Sequence, residues 1–178
     1  RNCLEHLENF LPEDLSRLAE LQVVAAVQPP HMTLDPGGPE RDLGPGRVPY
    51  MWPLRTLLDR STVLAFGTDS PVVDVNSMDV LYSAVSRQDP GTHEPAGGWL
   101  PGERIGMAEA LRAYTQGSAA AAGRRRELGT LEVGKLADIA VLDRNLLTCE
   151  IEDIQKTKVL ATFMGGRCVF GNETRGRG

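Results

Sequence analysis

Long apolar runs are missing from this sequence of 178 residues. The longest, at residues 23–27 and 63–66, fall far short of the roughly 20 residues that a membrane-spanning helix needs, so no membrane partner is expected. A dominant charge is missing too. The net charge of -5 comes from 19 basic and 24 acidic side chains that are interspersed, which leaves no basic surface for nucleic acid. Cysteine is scarce and odd in number: Cys3, Cys149 and Cys168 lack paired metal-site spacing and read as idle thiols in a reducing, cytoplasmic setting. No charged segment followed by an apolar one opens the chain, so no signal peptide is expected, and Asn172-Glu173-Thr174 reads as a chance glycosylation pattern. Neither a Gly-x-Gly-x-x-Gly fingerprint nor a P-loop occurs, which argues against a nucleotide or sugar binder. Internal repeats and low-complexity tracts are lacking as well.

What is present suffices for one ordinary domain, or one with a small appendage, since 41% of the residues are apolar. The opening Arg1-Asn2-Cys3-Leu4-Glu5-His6 has no initiator methionine and enters a strand signal at once, so it reads as cut from something longer. A short strand at residues 3–6 is followed by a helix that Pro12-Glu13-Asp14 opens, with Leu15, Leu18 and Leu21 at helical spacing. The unbroken apolar run at 23–27 predicts a strand covered on both faces, ending in Gln28-Pro29-Pro30-His31. Residues 32–50 hold Pro36, Pro39, Pro45 and Pro49 among glycines and predict a long loop. A helix over 51–60, with Leu54, Leu57 and Leu58 on one face, leads to a strand at 63–67 that stops at Thr68-Asp69-Ser70-Pro71. This alternation is that of parallel βα units, whose ligand sites lie on the loops after the strands. His6, His31 and Asp69 then fall at three strand ends facing one mouth.

The remainder changes character. A helix is predicted at 78–88, then a second Gly/Pro-rich loop at 89–106 with His93 and Trp99 at exposed lid positions. A helix at 107–116 runs through Gly117-Ser118 into an alanine-rich turn that ends at Gly123. Arg124-Arg125-Arg126 reads as a solvated helix end whose charge suits the dipole. Strands follow at 136–142, 159–164 and 167–170, the last two joined by Gly165-Gly166, a dipeptide made for a tight hairpin. Met51, Trp52 and Trp99 either line an apolar pocket or pack helices and loops together. On the residues alone, Asp69 as a turn cap, His6 as a hydrogen-bonded histidine and His31 as a loop residue stand beside any ligand role. Imidazole nitrogen and carboxylate oxygen do suit zinc or a similar ion, which lowers the pKa of bound water to about 7.

The segments "LEHLENFLPEDLSRLAEL", "VVAAVQPPHMT", "MWPLRTLLDRSTVLAFGTDSPV", "AVSRQ", "EALRAYTQGSAAAAG" and "GTLEVGKLADIAVLDRNLL" carry a resemblance. In this order they resemble the C-terminal half of the amidohydrolase superfamily, specifically the family-3 metal-dependent hydrolases similar to N-substituted formamide deformylase. The likeness runs from residue 1 to about 170, and Gly-x-Leu-x-x-Gly-Lys-x-Ala-Asp-x-x-Val-Leu-Asp at 129–143 is its most specific stretch.

The resemblance implies an α/β fold: the C-terminal part of a TIM (β/α)8 barrel, its last three βα units, plus strands of a small flanking β-domain. Residues 1–123 would be the partial barrel, 124–171 the β-strand segment and 172–178 a tail. It implies hydrolysis of carbon-nitrogen, non-peptide bonds in small amides or formamides by metal-activated water, with a divalent metal, zinc, as cofactor. His6 would be a metal ligand at the sixth strand, His31 a substrate-facing residue at the seventh, and Asp69 the eighth-strand aspartate that binds metal and handles the water's proton. The family's site also draws on a His-x-His pair, a bridging acid or modified lysine and a further histidine, whereas the histidines here are 6, 31 and 93 alone. Two ligands fall short of the three that a catalytic zinc site takes from protein. The alternative is therefore a catalytically incomplete remnant acting as a structural or oligomerisation module. Three barrel strands leave two open parallel edges, which predicts a homo-oligomer formed through them.

Overall fold

The computed structural model describes residues 2–35 and 37–171; the tail and its Asn172-Glu173-Thr174 pattern lie outside the described residues. Three short parallel strands, β1 (Cys3–Leu4), β2 (Val24–Val27) and β3 (Val63–Phe66), form one sheet in that order. Val24 pairs with Cys3 on one side and Val63 on the other, and Val27 with Phe66. Between the strands lie α1 (Asp14–Glu20) and α3 (Leu54–Asp59). The β2 run has no polar residue because neither face meets water: Ala25 and Val27 join the main core with Leu15, Leu18, Leu54, Leu57, Leu64 and Phe66, while Val24 and Ala26 pack with Ala65 and Ala120 on the other face. The first strand is two residues shorter than expected, and Leu21 lies beyond α1, exposed.

Residues 32–50 are not one loop. They carry α2 (Gly38–Leu43) and the 3-10 turn Val48–Tyr50, and a further 3-10 turn, Pro29–Thr33, closes β2. Prolines punctuate this stretch for a reason other than disorder: each of the three pieces has proline in its first two positions, where the fixed φ favours a helical start and the missing N–H is no loss.

After β3, α4 (Ser77–Ser86) is capped by the Asn76 side chain on the Met78 N–H. A continuous helical rod then follows as α5 (Met107–Arg112), a π turn (Ala113–Gly117) and α6 (Ser118–Ala121). Arg55 and Glu109 pair to tie α3 to α5. The antiparallel strands β4 (Ile139–Leu142), β5 (Val159–Met164) and β6 (Arg167–Phe170) form a second sheet, with Gly165 and Gly166 at φ of 56° and 79° in the hairpin turn, as expected. Val159, Leu160, Met164, Val169 and Phe170 on this sheet remain exposed. Leu146 and Ile154 nevertheless enter the main core and anchor the segment to the α/β layer. Among the described residues no helix is long and apolar enough to cross a membrane.

One expected open edge is covered. The Gly67 N–H bonds back to Val27 of β2, so by alternation the carbonyls of Leu64 and Phe66 point outward. The π turn lies across them: Ser118 Oγ donates to the Phe66 carbonyl at 2.9 Å, and a Cβ built on Gly117 meets the Leu64 carbonyl oxygen at 1.8 Å. Only glycine permits this approach. Replacing Gly117 by alanine is expected to lower stability by about 2–3 kcal/mol in urea denaturation. The same change at Gly102, where a Cβ meets nothing within 4 Å, should stay within about 0.5 kcal/mol.

Candidate functional site

All three sequence-predicted residues reach the same rim. His6 follows β1 by two residues, His31 sits in the Pro29–Thr33 turn after β2, and Asp69 follows β3 by three. His6 and Asp69 hold φ of 51° and 57°, the left-handed region, so each turns the chain sharply as its strand ends. His6 Nε2 lies 3.6 Å from Asp69 Oδ2, and the His6 and His31 rings stack with centroids 6.0 Å apart and planes 11° from parallel. Asp69 does not serve as the cap of its own turn: the Ser70 N–H goes to Thr68 Oγ1 and the Val72 N–H to the Asp69 backbone carbonyl. His93, on the second loop, is exposed, rests against Tyr82 and meets Gln155, taking no part in the rim.

A fourth residue belongs to the cluster. Glu8 Oε1 is 3.2 Å from His31 Nδ1, and ligand atoms of His6, Glu8 and His31 all lie within 4.8 Å of one another. The site has two levels. His6 and Asp69 are 51% and 39% exposed at the surface, whereas Glu8 and His31 are 17% and 9% exposed beneath them. Burial pushes the Glu8 carboxyl above the usual carboxylate range, with His31 and then His6 pulling it back. On the far side of the imidazole, His31 Nε2 is buried without a partner, as is Gln28 Oε1. No periodicity announces Glu8, because the left-handed turn at His6, closed by the Glu8 N–H on the His6 carbonyl at 2.9 Å, sets its direction rather than strand alternation. Cys3, near the same strand end, is no nucleophile candidate, since burial and then Glu5 push its thiol up.

Behind Glu8 stands a buried cation that sequence reading passed over. Arg87, wholly buried, donates from Nε to the Trp99 carbonyl at 2.6 Å and from its guanidinium to the Trp52 carbonyl at 2.9 Å. The Trp52 N–H in turn donates to the Glu8 carbonyl at 2.7 Å. Burial lowers the Arg87 pKa to about 10, against the pull of Glu103. Trp99 is thus no exposed lid residue; it is half-buried, meets Trp52 edge-on at 5.8 Å and covers the guanidinium. Of the two roles open to Met51 and Trp52, packing is the observed one: both are buried with Met32 in a small cluster of their own.

The sequence profile of the amidohydrolase family matches residues 1–170. This chain belongs to the amidohydrolase family. It is 35% identical to Protein LONG AFTER FAR-RED 3 of Arabidopsis thaliana over 94% of its own length and 28% of that protein's. N-substituted formamide deformylase of Arthrobacter pascens is 33% identical over 65% of the chain and 21% of the relative. Among solved structures, an uncharacterized metal-dependent hydrolase from Pyrococcus furiosus superposes with a TM-score of 0.68 at 32% identity, over 82% of this chain and 29% of that one. The amidohydrolase chain therefore spans less than a third of the length of these relatives.

Within this amidohydrolase chain the Arg87 hydrogen bonds are charge-assisted and shielded from water. Replacing Arg87 by methionine strands the Trp99 carbonyl, while the Trp52 carbonyl keeps the Leu54 N–H, and is expected to cost about 1–3 kcal/mol in urea denaturation, with tryptophan fluorescence shifting toward that of a solvated indole.

Proposed function

We propose that this chain is the part of a metal-dependent amidohydrolase that carries the last three βα units of a (β/α)8 barrel, residues 1–123, and strands of the flanking β-domain, residues 124–171. The reaction is hydrolysis of a carbon-nitrogen bond in a small amide or formamide. One observation carries this reading: His6 Nε2 and Asp69 Oδ2 stand 3.6 Å apart. Two ligands of one zinc ion, each at about 2.1 Å and at tetrahedral angles, are about 3.4 Å apart, so this pair fits one edge of such a site with little movement. The donor set of imidazole nitrogen and carboxylate oxygen agrees, as does the metal dependence of the Pyrococcus furiosus relative.

When bound, a zinc ion there supplies a water acidified to about pKa 7. With such an ion bound, Asp69 would take a proton from the attacking water and return it to the departing nitrogen, one carboxylate serving as base and then acid. His6 and Asp69 would hold the ion, while His31, one strand over, would face the substrate. A cytoplasmic setting and self-association belong to the same proposal: a second copy covers the free edge of β1 and the exposed apolar side chains of β5 and β6.

Elemental analysis of the purified chain tests the reading. Substoichiometric metal, limited by the missing third protein ligand, is expected in the parent, lost in Asp69→Ala and in His6→Ala and retained in His93→Gln. Metal content no higher in the parent than in Asp69→Ala overturns it.

A further inference from the structure

The rim uses one end of β3, and the other end opens on a cavity of about 350 Å³ that takes no part in the proposed amide hydrolysis. Thr62, Val63 and Leu64 line it where the strand begins, together with residues of α3 and of the π turn. This volume stands at the lower end of the range for small-molecule sites, about 300–1,000 Å³. A π turn is a rare interruption of a helix that recurs at functional sites, and this one brings Ala113, Gln116 and Gly117 to the cavity.

Its polar lining is basic. Three arginines, Arg55, Arg112 and Arg125, stand against two acids, Asp59 and Glu109, and both acids are already taken by Arg55: Asp59 at 3.2 Å, and Glu109 in the pair that ties α3 to α5. Arg112 and Arg125 are exposed and pair with no carboxylate among the described residues. A guanidinium grips a carboxylate or a phosphate through two parallel N–H bonds, so two uncommitted ones on a single cavity suit an anion. Deeper in, Thr62 is 3% exposed, and its hydroxyl has no partner although its N–H donates to the Leu57 carbonyl at 2.9 Å. A buried hydroxyl without a partner costs stability that a valine of the same shape would not, and a ligand oxygen placed against it recovers the loss.

We propose that this cavity is a second ligand site, for a small organic anion whose carboxylate or phosphate is held by Arg112, Arg125 and the Thr62 hydroxyl and whose apolar body rests on Leu58 and Ala113. The site lies at the end of β3 remote from Asp69, so it stands or falls apart from any metal at the rim. Its ligand spans α3, the start of β3 and the π turn, three segments that meet only there.

The test titrates the 15N-labelled chain, at constant ionic strength and with a chelator present, with butyrate, butyl phosphate and the neutral 1-butanol, read by 1H–15N correlation. Either anion should shift the amides of Thr62 to Leu64 and the side-chain amide of Gln116, and butanol should shift none of them. Arg112→Gln and Arg125→Gln should each weaken binding about tenfold, the loss of one charge-assisted contact. Arg126→Gln, an exposed arginine outside the cavity, should bind as the parent does. Thr62→Val separates a ligand role from a packing one, because it should raise the Tm of the free chain by about 2–4 °C while weakening anion binding. Shifts with butyl phosphate alone assign a phosphate ligand, shifts with butyrate alone a carboxylate, and shifts with both an anion of either kind; each supports the proposal. No response to either anion, an equal response to butanol, or equal weakening in Arg126→Gln overturns it. So does anion binding that Thr62→Val leaves unchanged, and the parent and arginine variants decide the matter even where that variant does not fold.

Discussion

Parallel pairing of β2 with its two neighbours is the constraint from which the rest follows. Val24 is matched to both Cys3 and Val63, so three chain segments that are far apart in sequence start level and run side by side toward one rim. Parallel strands need crossover connections, and here those are helices whose leucines fill the space beneath the sheet. The apolar interior and the polar rim are therefore two results of one register. A slip of one residue in β3 would turn Leu64 and Phe66 away from the core and move Asp69 out of reach of His6.

The polar rim is not merely surface. Its deeper members belong to a file of groups running inward from His31 through Glu8 and the Trp52 backbone to Arg87, a cation with no carboxylate hydrogen-bonded to it among the described residues. Carbonyl dipoles hold the charge in place of a carboxylate, with the face of Trp99 beside it. Such an arrangement is stable only when the surrounding backbone is rigid, and Trp52 and Arg87 both sit in the left-handed region to make it possible. The interior of this small domain thus spends packing energy on directing a few polar atoms.

Much of this was legible in the sequence where a single local rule decided the outcome. The all-apolar 24–27 stretch, the Gly165-Gly166 turn and the helix from Asp14 follow from burial, φ sign and dipole. His6, His31 and Asp69 were found because each stands just past a strand. Other features depended on partners distant in the chain. Glu8 matters because His31, 23 residues away, faces it, and Arg87 because two carbonyls from separate loops converge on it. The prolines of 32–50 suggest a loop by composition, although Pro39 and Pro49, as helix openers, produce compact turns. The covered edge of β3 was illegible for a similar reason, since nothing in Gly117-Ser118 announces which strand it will lie against.

The left-handed backbone at His6 and Asp69 also shapes how this rim is able to change over generations. Valine, isoleucine and threonine are nearly shut out at such φ values, because a branched Cβ collides with the adjoining carbonyl. Asparagine and glycine enter with little strain. The accessible neutral paths from either position thus pass through small or amide side chains. A lineage that drops the imidazole or the carboxylate keeps the turn, so its backbone would still trace the same outline.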